Sequence, residues 1–330
     1  MITATQTPWQ TELQQAVTDP AELLSMLALD PGLLDGARAA TALFPLRVPR
    51  GFVARMRIGD PRDPLLCQVL PIDAETGAAP GFTIDPVGDI ASAARPGLLH
   101  KYHGRVLLVT TGACAVNCRY CFRRHFPYAD ENPRTGRWRD ALAYIHADAT
   151  ISEVILSGGD PLSLADHRLA ELAAAIAAIP HVRRLRIHTR QPVVLPSRID
   201  QTFLDWFAPL PLQKTVVVHV NHANEVDTAV GAAFAALKDA GATLFNQSVL
   251  LRGVNDSADC LAALSEALFA AAVIPYYLHL LDRVAGAAHF EVPESRALAL
   301  HRELRERLPG YLVPRLVREQ AGAPSKLPVF

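Results

Sequence analysis

The sequence predicts an α/β fold: a partial (βα)6 barrel, TIM-like, with an N-terminal helical and irregular extension and a short lysine-bearing C-terminal segment. Three observations predict it. From residue 96 onward, strand-length apolar runs alternate with helix-length runs at a spacing of roughly 30 residues, the repeat of right-handed βαβ units on a parallel sheet. Reactive polar residues gather at the ends of the strand-length runs, where barrels assemble their active sites. Ahead of residue 96 the chain is dense in Pro, Gly and Asp, so turns replace the repeat.

Taken in order, residues 1–40 read as helical, with Leu23, Leu24, Leu27 and Leu29 at helical spacing and breaks at Pro20 and Pro31. Residues 41–95 (FPLRVPRGF, GDPRDPLL, LPIDAETGAAPGF, DPVGD) predict turns, short strands and long ordered loops. They form a collar packed on the barrel repeat, or else a docking surface. Strands are expected at 106–110, 153–157, 184–188, 215–220, 243–250 and 275–281, and helices at 164–178, 199–207, 226–240, 258–272 and 294–308. Cysteines follow the first strand, Gly158, Gly159 and Asp160 the second, and Arg190 the third. His219, Asn221, His222 and Glu225 follow the fourth, Asn246 and Gln247 lie in the fifth, and Asp282 closes the sixth. The chain divides into a collar (1–95), a (βα)6 core (96–308) and a C-terminal segment (309–330).

Half of the 330 residues are hydrophobic and 20% are charged, an ordinary globular composition. A formal net charge of −1 offers no general attraction to nucleic acid or an anionic membrane, and neither is expected as a partner. No run of about 18 apolar residues is present. The N-terminal MITATQTPWQTELQQ lacks a basic region followed by an apolar core. A cytoplasmic protein is expected, in a compartment where thiols stay reduced.

The stretch VLLVTTGACAVNCRYCFRRHFPY (106–128) is a strand delivering a loop with Cys114, Cys118 and Cys121 spaced C-x3-C-x2-C. Thiolate-rich sites select zinc, Cu(I) or iron–sulfur clusters. Zinc with His125 or His103 as fourth ligand is one reading. A four-iron cluster with one iron left open is the other, since such clusters otherwise take four cysteines. A disulfide is disfavoured, because the chain has five cysteines and Cys67 and Cys260 lie far from the loop. Those two are expected to pack in the core.

C-x3-C-x2-C with an aromatic before the last cysteine resembles the signature of the radical S-adenosylmethionine (radical SAM) enzymes. The resemblance implies a [4Fe-4S] cluster on the three cysteines, SAM at the open iron, and a barrel of the radical SAM type. SGGDPL (157–162) resembles the family's second signature, in which Gly158, Gly159 and Asp160 lie against SAM. Alone, the same stretch reads as a tight turn with an N-capping Asp160.

HVNHANE (219–225), NQSVLLRGVND (246–256), HKYHGRVLL (100–108), CFRRHF (121–126), TRQPVVLPSRI (189–199) and LDRVAGAAHF (281–290) resemble the lysine 2,3-aminomutases. That resemblance implies contacts from His219 and Gln247 to SAM. It also implies pyridoxal 5′-phosphate (PLP) on Lys326, in the tail AGAPSKLPVF (321–330), with Tyr102 and Arg105 at its phosphate. Arg123 matches the residue that grips the substrate carboxylate with a bidentate fork. Asp282 matches one of two carboxylates that hold the lysine ε-ammonium, and Glu319 stands where the second is Asp, one methylene longer.

PLRVPRGF, GDPRDPLLCQVLP and GLLHKYHGR, together with an end four residues after Lys326, resemble the short, elongation-factor-P-associated branch. The activity so implied is isomerisation of L-lysine to β-lysine, in the R form. An electron donor such as flavodoxin or ferredoxin and a functional link to elongation factor P and its lysyl ligase come with it. A free-lysine 2,3-aminomutase, or a radical SAM enzyme without PLP, is the alternative.

Overall fold

Each strand sorts its side chains between two surroundings, and that sorting makes the barrel. In the computed structural model, which describes residues 7–128 and 138–330, Val154 and Leu156 face a helix-covered core while Ile155 and Ser157 line a central cavity. Leu185 and Ile187 likewise face the helices, with Arg186 and His188 turned to the cavity. The period of two lets one strand serve both surfaces.

The collar holds helices α1 (Pro8–Gln14), α2 (Pro20–Met26), α3 (Leu34–Leu43) and α4 (Arg50–Val53). Pro20, expected as a break, instead opens α2, at the position where a missing N–H has no helical partner to lose. Asp19 caps it by accepting from Ala21 N at 2.9 Å. Pro31 opens a 3-10 turn, Pro31–Leu33. The region 41–95 adds 3-10 turns at Leu66–Gln68, Asp73–Glu75 and Ile90–Ser92 and the strand β1 (Ala93–Arg95).

The barrel continues as β2 (Leu98–Tyr102), β3 (Arg105–Thr111), α5 (Arg139–Ala147), β4 (Glu153–Gly158), α6 (Asp166–Ala177) and β5 (Arg184–Thr189). Then come α7 (Gln191–Val194), α8 (Gln201–Phe207), β6 (Gln213–Val218), α9 (Thr228–Asp239), β7 (Ala242–Val249), α10 (Ala258–Ala270) and β8 (Ile274–His279). The chain ends with α11 (Glu294–Arg307), β9 (Arg315–Arg318) and β10 (Leu327–Pro328). The six expected strands and five expected helices are all present, with ends shifted by a residue or two. Helix α5, the hairpin β1–β2 and the pair β9–β10 are additional.

One sheet holds all these strands in sequence order, β1 to β10. Strands β3 to β9 run parallel, while β1, β2 and β10 run antiparallel to their neighbours. Segment 309–330 is thus part of the barrel wall, β9 being a seventh parallel strand. Starts align across the sheet, Arg105 with Glu153 and Arg184 with Gln213, so the C-terminal ends reach one mouth. No helix among the described residues is long and apolar enough to cross a membrane.

The collar grips the cysteine loop. Trp9, Leu23, Phe52 and Leu66 share a core with Ala115 and Val116 of that loop. Arg119, fully buried, donates from Nε and Nη2 to Glu75 Oε1 and Oε2 at 2.8 and 2.6 Å. Arg124 Nη2 donates to the same Oε2 at 2.8 Å. Removing one partner of a buried ion group strands the others without water. Glu75→Ala is expected to lower the unfolding free energy by about 3–5 kcal/mol in urea titrations.

Candidate active site

The inner face of the sheet and the segments after its strands enclose a cavity of about 510 Å3. All the site residues named from the sequence line it: the three cysteines, Tyr102, Arg105, Arg123, Gly158, Gly159, Asp160, His219, Gln247, Asp282, Glu319 and Lys326. They come from six strands or strand ends, the cysteine loop and the C-terminal tail, so the fold brings together positions more than 200 residues apart.

The cysteine loop rests on a buried polar network. Arg190, just after β5, donates from Nη1 to Cys118 Sγ and to Tyr120 Oη, both at 2.8 Å. Its Nη2 donates to Gln68 Oε1 at 2.6 Å and Glu225 Oε2 at 2.9 Å. Asn221 Nδ2 joins Gln68 Oε1 and Tyr120 Oη. Glu225 is thereby a counter-ion inside the wall, and His222 Nδ1 is taken up by Asn224 N at 3.1 Å. Neither is presented to a metal.

Burial, with Cys118 beside it, pushes the Cys121 thiol up to about 11, and burial with Cys121 beside it pushes Cys114 well up. A metal centre supplies the positive charge that removes such protons. No three His, Cys, Asp or Glu side chains among the described residues close around a point as ligands of one ion do. Three thiols on one short loop, all lining the cavity, suit a cluster with one iron left open, since such clusters otherwise take four cysteines. His125 Nε2 pairs with Ala285 O at 3.1 Å, and neither it nor His103 lines the cavity with the cysteines.

Gly158 and Gly159 meet the entry to that loop. Gly158 has φ +119°, and a Cβ there would stand 2.6 Å from Thr111 O; one on Gly159 would stand 2.5 Å from Ala113 O. Gly159 N and Asp160 N donate to those same carbonyls at 2.7 and 2.8 Å. Close approach of backbone to backbone thus requires both glycines. Asp160 is a strut. Its carboxylate accepts from Leu162 N, Thr189 Oγ1, Arg190 N and Gln191 N, tying the end of β4 to the end of β5. This is the capping turn that SGGDPL suggests on its own.

Farther along the cavity, His219 lies edge-on to His188 with ring centres 6.0 Å apart. Burial, with Arg190, Lys326 and Arg123 nearby, lowers its pKa to about 4. The buried Nε2 atoms of Gln247, His188 and His279 form no hydrogen bond within the protein. Orphaned buried polar atoms facing one cavity fit a polar ligand.

Five charged groups of alternating sign cross the remaining wall. Arg123 Nε donates to Asp89 Oδ2 at 2.6 Å, and Lys101 Nζ pairs with Asp89 Oδ1 at 2.5 Å and Glu319 Oε1 at 3.1 Å. Lys326 Nζ donates to Glu319 Oε2 at 2.8 Å. Burial alone would raise the Glu319 pKa; Lys326 and Lys101 overcome it and hold the carboxyl at about 2. Asp282 forms no side-chain hydrogen bond or ion pair among the described residues, and burial, with Glu319 near, pushes it up to about 7. The Arg105 guanidinium lies 4.7 Å over the Tyr102 ring with no carboxylate partner among the described residues.

Two features bear on the expected substrate contacts. Arg123 also donates from Nη1 to Ser157 Oγ at 3.1 Å, which with the bond to Asp89 leaves three of its five N–H groups for a carboxylate. Glu319 has both oxygens on lysines of the chain itself. Gln68, Asp89, Lys101, His188 and His279 were not singled out by sequence. Lys101 alternates with Leu98 and His100, which face the helix side, so reading 98–102 as a strand would have turned it inward.

The Radical SAM superfamily pattern matches residues 108–259. Over 323 residues the chain is 54% identical to L-lysine 2,3-aminomutase of Escherichia coli (strain K12), covering 97% of this chain and 94% of that one. The chain belongs to the L-lysine 2,3-aminomutase family. The enzyme of that name from Haemophilus influenzae is 49% identical over 96% of this chain and 94% of its own. The one from Clostridium subterminale is 33% identical over 98% of this chain and 77% of its own. Aminomutases are isomerases, and the chain is an enzyme of that class. As a radical SAM protein it takes a [4Fe-4S] cluster and SAM; lysine 2,3-aminomutases are PLP-dependent.

Because Gly159 has no room for a side chain, Gly159→Ala is expected to displace the cysteine loop and cut iron incorporation by at least about ten-fold. Iron and acid-labile sulfide per chain after reconstitution provide the check.

Proposed function

We propose that the chain moves the 2-amino group of L-lysine to C3, giving (R)-β-lysine for modification of elongation factor P. A [4Fe-4S] cluster sits on Cys114, Cys118 and Cys121, with SAM against the Gly158–Asp160 turn, His219 and Gln247. PLP sits on Lys326, with Tyr102 and Arg105 toward its phosphate. One observation carries the reading: the three thiols and Lys326 face a single cavity whose walls hold both an arginine and an uncommitted carboxylate. When bound, the cluster with SAM supplies a one-electron route to a hydrogen on unactivated carbon, and PLP a conjugated ring that spreads an unpaired electron.

The chain's own residues bind and orient. Lysine carries a carboxylate at one end and an ammonium at the other, and the cavity carries the complement. Arg123, held by Asp89 and Ser157 and flanked by Phe122 and Phe126, offers Nη2 to the carboxylate. Asp282, without a cation of its own, offers the counter-charge to the ε-ammonium. Glu319 becomes the second such group once Lys326 is engaged elsewhere. Neutral His219 can meet SAM without adding charge. Fixing both substrate ends places the β-carbon before reaction, which is the main way a protein accelerates chemistry that its cofactors perform.

The link to elongation factor P is supported by the likeness of PLRVPRGF, GDPRDPLLCQVLP and GLLHKYHGR to the short branch. A small acidic electron carrier such as flavodoxin or ferredoxin would supply the reducing electron, and the elongation factor's lysyl ligase would use the product.

The reading is tested by anaerobic incubation of reconstituted protein with L-lysine, SAM, PLP and a reductant, followed by chiral chromatography. (R)-β-lysine that disappears when PLP is omitted supports it. SAM cleavage without β-lysine contradicts it.

Asp282 also sets a pH dependence. Its folded-state pKa is raised to about 7, so the ionised form that attracts an ammonium is lost as pH falls through neutrality. The KM for lysine is expected to rise by up to about ten-fold per pH unit below 7. Asp282→Asn should raise KM at pH 8 and flatten this dependence.

A further inference from the structure

We propose that Lys101 is the brace that docks the C-terminal tail and sets Lys326 in the cavity, a positioning residue resting on the reading of Lys326 as the PLP lysine. Few backbone bonds hold that lysine. The tail returns to the sheet through two residue pairs, Leu327 with Arg318 and Pro328 with Val317, and one further backbone bond, from Val329 N to Leu316 O at 3.0 Å. So short a pairing is marginal in water, and a proline in it has no N–H to donate. Beyond it Val329 is buried, which anchors the end of the chain but leaves the turn 319–326 to its side chains.

Lys101 supplies the missing hold from the opposite side of the site. It sits on β2, and all three protons of its ammonium are taken: by Val87 O at 2.8 Å, Asp89 Oδ1 at 2.5 Å and Glu319 Oε1 at 3.1 Å. Two of these partners belong to the collar loop and the third to the tail. Glu319 turns its other oxygen to Lys326. The same ammonium thus fixes Asp89, which holds Arg123, and Glu319, which holds Lys326. Charge-assisted hydrogen bonds in a partly buried wall are strong and directional, so the two ends of the substrate site are set relative to each other by one side chain. Without Lys101, Asp89 keeps Arg123 and Glu319 keeps Lys326. The fold therefore survives its removal, and what is lost is the tie between collar and tail.

The test compares wild type, Lys101→Met and Lys101→Arg by amide hydrogen exchange without added PLP, and by the PLP concentration that half-saturates the absorbance of borohydride-trapped cofactor. In Lys101→Met, exchange across 317–328 should be about ten-fold faster, with exchange in β5 unchanged. Half-saturation should move up about ten-fold, and Lys101→Arg should recover most of both effects. Tail exchange equal to wild type, or acceleration shared equally with β5, would overturn the proposal. If the wild type itself traps no PLP, the cofactor reading fails, while the exchange comparison still decides the brace.

Discussion

Arg119 is buried to the last atom, and its two bonds to Glu75 fix a loop that has no regular structure of its own. The rest of the site is arranged around that loop. Arg190 reaches Cys118 only because Tyr120 and Gln68 hold the other sides of its guanidinium. Gln68 belongs to the collar, as does Glu75. A barrel without its collar would still bury its helices, but the thiols would have nothing to stand on. The two glycines after β4 add the final constraint, since they let the next strand end approach the loop backbone closely enough to bond to it.

A second constraint is electrical. The cavity wall crosses from Arg123 to Lys326 by alternating charges, each buried group neutralised by its neighbours. Asp282 stands outside the series, and burial, with Glu319 near, raises its pKa. A carboxylate without a cation in a largely desolvated wall is costly. On the proposed reading the distal ammonium of lysine relieves that cost, and a guest lacking it gains nothing there.

Much of this was legible in the chain. Strand and helix positions followed from strand-length apolar runs alternating with helix-length ones; the caps Asp200 and Asp227 were not read, and those two helices begin two residues later than expected. The cysteine loop was legible through its spacing, and Lys326 was named only through the family resemblance. What the sequence hid are the pairings made across the fold. Asp89 sits in the Pro- and Gly-rich region that reads as loop and Lys101 in a stretch given no element of its own, and nothing local says that Lys101 pairs with Asp89 and with Glu319, more than 200 residues further along the chain. Asp160 was legible on its own as a capping residue; its four donors, drawn from the ends of β4 and β5, were not. Strands β9 and β10 are too short to announce themselves by alternation.

The proposed chemistry turns on Lys326 being the residue that carries the cofactor. Holoenzyme reduced with borohydride, digested and mapped by mass spectrometry would test this most directly. The reduced pyridoxyl phosphate mass is expected on the peptide containing Lys326, and its loss is expected in Lys326→Ala with iron content unchanged. The same mass on Lys101 or another lysine, or its persistence in the variant, would contradict the assignment.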